Sequence, residues 1–119
     1  MENLIIMQKL EDTVEYAYCV FRHFPKSEKF TLVADLKRSL VKMFELVIRA
    51  NKSRNKFPIL MDLDTELEVF RALVRLSFRL KFISMKKYEV LSQKVNEFGR
   101  LLGGWIKQNK KSTTFRLKE

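Results

Sequence analysis

Four stretches of this chain repeat apolar side chains at alternating steps of three and four residues, and that spacing permits little except helices packed lengthwise. The first reads Met7, Leu10, Val14, Ala17, Phe21, Phe24, and Pro25 stops it because proline cannot continue a helix interior. The second reads Val33, Leu36, Leu40, Met43, Val47, Ala50, with Ser27 as its expected N-cap and Glu28 favourable in its first turn. Residues 51–57, NKSRNKF, break the pattern and Pro58 follows, so residues 52–61 are expected to form the longest loop, with Asp62 or Asp64 capping the third helix. The third repeat is Val69, Leu73, Leu76, Leu80, Ile83. Ser84 is the expected cap of the fourth helix, whose seam is Tyr88, Leu91, Val95, Phe98, Leu102, Trp105. Residues 110–119, KKSTTFRLKE, lose the repeat and are expected to form a flexible basic tail behind a bundle spanning 1–109.

Four long helices with short connections predict an all-α, antiparallel up-down four-helix bundle in one domain. Composition agrees. Three glycines and two prolines in 119 residues leave too few turn formers for an all-β fold, while 46% hydrophobic residues suffice for a core. No stretch is apolar enough to cross a bilayer, and the opening MENLIIM lacks the basic start of a secretory signal. A cytoplasmic protein without membrane contact is expected. Cys19 has no partner for a disulfide and is expected to be a packed core thiol rather than a nucleophile.

Charge is unevenly distributed within a net +10. Residues 1–21 carry one basic and four acidic side chains, residues 22–56 ten and three, and residues 57–119 thirteen and seven. A weakly acidic first helix followed by basic ones is the footprint of a polyanion binder, with plain solubility as the bland alternative.

The third helix is unusual. On a helical wheel Leu67, Val69, Phe70, Leu73, Val74, Leu76, Phe78 and Leu80 sweep an arc of roughly 200°, twice the face that one core-facing helix needs. The excess predicts self-association through this helix, unless the long loop or the tail covers it. Arg71, Arg75 and Arg79 share one narrow stripe behind Asp64 and Glu68. They could meet successive phosphates, or pair with carboxylates, Glu68 with Arg71 first. Lys37, Arg38, Lys42, Arg49 and Lys52 form a broader basic patch on the second helix, interrupted by Glu45. As phosphate contacts they would act without sequence specificity. Gly99, Gly103 and Gly104 lie inside the fourth helix, where each costs up to about 1 kcal/mol relative to alanine. A close helix crossing, or a hinge before Trp105, would account for them.

Little catalytic chemistry is on offer. His23 is the sole histidine, with no acidic residue three positions before it, and reads as a helix-end residue. No phosphate loop, nucleophile elbow or cysteine pair occurs, so no cofactor, metal or enzymatic activity is expected.

Two motifs carry a family resemblance. FPKSEKFTLVADLKRSL, residues 24–40, resembles the opening of the second helix in a bacterial four-helix-bundle family that includes proteins encoded by intervening sequences of 23S ribosomal RNA genes. NEFGRLLGGWIKQ, residues 96–108, resembles the signature of Avd, the accessory variability determinant of diversity-generating retroelements, and residues 66–92 resemble the Avd third helix and its turn. The likeness spans about residues 10–108. It implies a homo-oligomeric, pentameric barrel of four-helix protomers that binds a reverse transcriptase and its template RNA or cDNA, supporting mutagenic cDNA synthesis without doing chemistry itself. Five copies at +10 each would carry about +50, strongly attractive to RNA. The alternative branch is the intervening-sequence type, an RNA-associated or structural bundle without a polymerase partner. Candidate contacts to polyanion or polymerase are Arg71, Arg75, Arg79, Lys42, Arg49 and Arg100. The signature residues Gly99, Gly103 and Trp105 read as structural, and Arg100 alone among them as a side chain free to face a ligand.

Overall fold

A computed structural model describes the backbone of residues 2–118 and the side chains of residues 4–110. Helices α1 (Glu2–Phe21), α2 (Leu32–Lys52), α3 (Phe57–Arg79) and α4 (Met85–Lys118) follow one another, with a single 3₁₀ turn at Lys26–Glu28 between the first two. No strand occurs among the described residues. Each helix packs on its two neighbours in a closed ring, α1 on α2 and α4, α3 on α2 and α4. Phe24 before α2 meets Phe82 after α3 at 5.7 Å between ring centroids, so the α1–α2 and α3–α4 connections share one pole. This is the up-down bundle that the four repeats predict. Its core is built from three of them, with Leu10, Ala17, Leu36, Leu40, Met43, Val47, Leu91, Val95, Phe98 and Leu102 buried, whereas α3 buries Leu67, Phe70 and Val74 and only Ile83 of the third repeat is inside. Trp105 is buried too, within an unbroken α4, so no hinge precedes it.

The helix ends correct several expectations. Ser27 lies in the 3₁₀ turn and caps nothing, and α2 starts five residues later, after Thr31. The α2–α3 connection is not the longest loop, expected at 52–61, but the shortest of the three, the four residues 53–56, because Pro58 stands in the first turn of α3 and starts that helix instead of ending one. Asp62 and Asp64 therefore sit inside α3 and cap nothing. Lys56 makes so short a connection workable. Its Nζ donates to the carbonyls of Ala50 and Ser53, both at 2.7 Å, reinforcing the Ser53 N–H bond to Ala50 that closes α2. Ser84 does cap α4, its hydroxyl accepting from the Lys87 N–H at 3.2 Å. At the other end α4 continues to Lys118, and the expected tail at 110–119 falls almost wholly on side chains outside the described residues. Cys19 is exposed on α1, not packed in the core, because the buried face of that turn is taken by Ala17 and Val20.

The connection from α3 to α4 holds a strained residue. Lys81 adopts φ 68°, the left-handed conformation that glycine takes at helix ends. Its N–H donates to the Phe78 carbonyl and that of Phe82 to the Ser77 carbonyl, both at 2.9 Å, completing a Schellman motif.

Candidate interaction surface

The broad apolar arc of α3 separates into two faces. Leu67, Phe70 and Val74 point into the core, while Val69, Leu76 and Leu80 remain 43%, 44% and 49% exposed, with Leu73 half-buried among them. Val69, Leu73, Leu76 and Leu80 are spaced four, three and four, which is a second packing seam facing away from the bundle. The 53–56 connection is too short to cover it. Along its α2 side runs a groove lined by Arg38, Lys42, Glu66, Val69 and Leu73. Ser39 donates to the Glu66 carboxylate across that side at 2.7 Å and ties the two helices together.

The three arginines of α3 do not behave alike. Four-residue steps advance about 40° around a helix, so the stripe turns as it runs. Arg71 begins it against α4. Its guanidinium donates to Glu68 and, at 3.2 Å, to Asn96 Oδ1, and it lies over Gly99. A methyl group at Gly99 would come within 2.6 Å of Arg71 Nη2. The pairing with Glu68 is the one that the spacing of three suggests. Arg75 and Arg79 are exposed and make no ion pair among the described residues.

Arg75 also lines a groove of about 240 Å³ between α3 and α4, with Arg71, Tyr88, Ser92 and Asn96 around it and Val74 and Val95 at its floor. Tyr88 is held there by stacking on Phe78, with ring centroids 4.3 Å apart and 11° between planes. The sequence reading places Tyr88 in the core seam and misses Ser92 and Asn96. Steps of four along α4, opposite the arginine stripe, are the signal that marks all three.

The remaining candidates lie elsewhere. Lys42 is tied to Glu45 at 3.3 Å and Arg38 to Asp35 at 2.6 Å, whereas Arg49 is exposed and unpaired among the described residues. Arg100 sits on the α1–α4 side, at a cavity of about 240 Å³ shared with Ile5, Leu101, Gly104 and Trp105. Nearby, Lys9 and Glu97 join α1 to α4 at 2.9 Å. Their hydrogen bond and mutual attraction hold the Glu97 carboxyl below its ordinary range and lift the Lys9 ammonium above its own. The six candidates thus occupy three faces, not one site.

The glycines divide as well. Gly99 makes room for Arg71, a close crossing made by a side chain. Gly103 and Gly104 have nothing within 4 Å of where a Cβ would stand, so the crossing expected at them is absent within the protomer.

Among the described residues no group of histidine, cysteine, aspartate or glutamate could hold a metal ion, and no helix is long and apolar enough to cross a membrane. A family model described as bAvd-like matches residues 4–109, which takes in α2 and α3 whole, most of α1 and α4, and the exposed seam of α3. The chain belongs to the bAvd-like family. No curated protein matches it. In this Avd-type protein the glycine-rich stretch of α4 has two roles: Gly99 and Trp105 serve the packing of the protomer, while Arg100, Gly103 and Gly104 face outward.

Proposed function

We propose that this Avd-type chain is a non-catalytic accessory protein of a diversity-generating retroelement. It joins copies of itself into a pentameric, strongly basic assembly in the cytoplasm and holds a reverse transcriptase together with its template RNA and cDNA. The observation that carries this reading is the outward face of α3, where Val69, Leu76 and Leu80 stay exposed beside Arg75 and Arg79, which are in no ion pair among the described residues. An apolar seam edged by cations suits a protein that must bind copies of itself and an anionic partner at once. Half-exposed Val and Leu side chains gain about 1 kcal/mol each when a neighbour covers them. The same gain repeats at every interface of a ring.

The direct test is capture of the retroelement's reverse transcriptase and template RNA by the tagged protein, beside the double variant Arg75→Ala/Arg79→Ala. The parent is expected to retain both, and the variant to lose at least tenfold in yield of one of them while keeping its oligomeric mass. Equal capture by the two proteins would remove these arginines from the contact, and no capture by either would remove the function.

A further inference from the structure

The shared pole of the bundle gathers charge that the α3 face does not use. Arg22, Lys26 and Lys29 stand on the α1–α2 connection and Lys81, Lys86 and Lys87 on the α3–α4 connection and first turn of α4. The Phe24–Phe82 ring contact fixes the two connections side by side. None of the six is in an ion pair among the described residues, and Glu28 is the single acidic residue within the two connections. The Glu28 carboxylate is itself engaged by the Thr31 hydroxyl at 2.7 Å.

Two features set this cluster apart from an ordinary solvated patch. Phe30 projects from it 84% exposed, the most exposed large apolar side chain described, with Lys29 Nζ 5.5 Å from its ring centre. Lys81 holds the left-handed position at the end of α3, where glycine would sit without strain. The fold thus tolerates strain of about the size of a missing helix cap and keeps a cation there.

We infer that this pole is a single-stranded RNA site in which the lysines contact successive phosphates and Phe30 stacks on an unpaired base. The chemistry selects the ligand. A polyanion answers the charge, but only one with open ring faces also answers an exposed phenylalanine flanked by a cation. A duplex presents its phosphates and hides its base faces. The inference extends the proposed function by giving template RNA a place apart from the α3 seam. It does not depend on the reverse transcriptase, so the two readings fail separately.

The test is fluorescence anisotropy of the full-length protein with a short single-stranded RNA and with a blunt RNA duplex of equal phosphate number, over a salt series. Phe30→Ala is expected to weaken single-strand binding by roughly fivefold to a hundredfold, the range of one base stack, and to leave duplex binding unchanged. Lys29→Ala/Lys86→Ala is expected to weaken single-strand binding and to flatten the log–log salt slope by about 0.7 for each phosphate no longer neutralised. Lys52→Ala/Arg54→Ala, which removes equal charge at the opposite pole, serves as the control and is expected to do markedly less. Circular dichroism confirms that each variant is folded, which exposed positions allow. Unchanged single-strand binding by Phe30→Ala, or an equal loss from the opposite-pole pair, would overturn the assignment. If neither RNA binds the parent protein, the site does not exist, whatever the result with the polymerase.

Discussion

Lys81 and Arg71 show how single residues set the local geometry. A non-glycine residue in the left-handed region costs about 1–2 kcal/mol, so Lys81→Gly is expected to stabilise the protomer by about 1 kcal/mol. That corresponds to a rise in Tm of about 4 °C in thermal denaturation for a domain of this size, while single-stranded RNA binding falls. The Lys9–Glu97 pair titrates in the opposite sense at its two ends. Glu97 has its pKa lowered by folding, so its contribution is present above the unfolded carboxyl value and is lost as pH falls through the folded one. Lys9 has its pKa raised, and its contribution disappears only as pH rises through the folded ammonium value. Glu97→Gln is therefore expected to lower Tm slightly at neutral pH and not at all well below about pH 4, where the parent carboxylate is itself protonated. Both ends are exposed, so the effect is small. Residue-level geometry was the least legible part of the sequence. The Glu68–Arg71 pair could be anticipated because its spacing of three is local, whereas the Asn96 contact, 25 residues away, depends on how α3 lies on α4.

At the scale of elements the apolar repeats were a sound guide, and the punctuation around them less so. The repeats report burial directly, and most of the residues they pick for the cores of α1, α2 and α4 are inside. Pro58 and Ser27 misled because each residue type has two uses. Proline breaks helix interiors but suits a first turn, and serine favours N-caps and turns alike. The third helix was legible only in outline. Its arc was broad enough to demand two partners, but which half faced inward was settled by packing: Leu67, Phe70 and Val74 took the core and left Val69, Leu76 and Leu80 outside. Glycines in α4 give an element-scale prediction. Gly104→Ala adds a methyl group into open space and removes a helix-interior glycine, so it is expected to stabilise the protomer by up to about 1 kcal/mol. Gly99→Ala gains the same propensity but must displace the Arg71 guanidinium and crowd Leu67, whose Cδ2 would lie at 3.3 Å. Thermal denaturation of the two variants side by side should place the Tm of Gly104→Ala well above that of Gly99→Ala.

The whole molecule is a rod of 55 × 23 × 22 Å with a core complete within one protomer and an apolar seam left over along α3. Charge completes the picture, because +10 on 119 residues makes each copy repel the next. Association through the seam must outweigh that repulsion, and a polyanion bound to the assembly relieves it. Mass should therefore grow more stable to dilution when RNA is added, and less so in the Val69→Glu/Leu76→Glu variant. Light scattering on the purified protein, with this double variant beside it, is the most direct measurement of the central claim. The parent is expected to show a mass several times the 14.2 kDa of one chain, and the variant, folded by circular dichroism, that of one chain alone. A parent that runs as a single 14.2 kDa chain, or a variant whose assembly is undiminished, would contradict it.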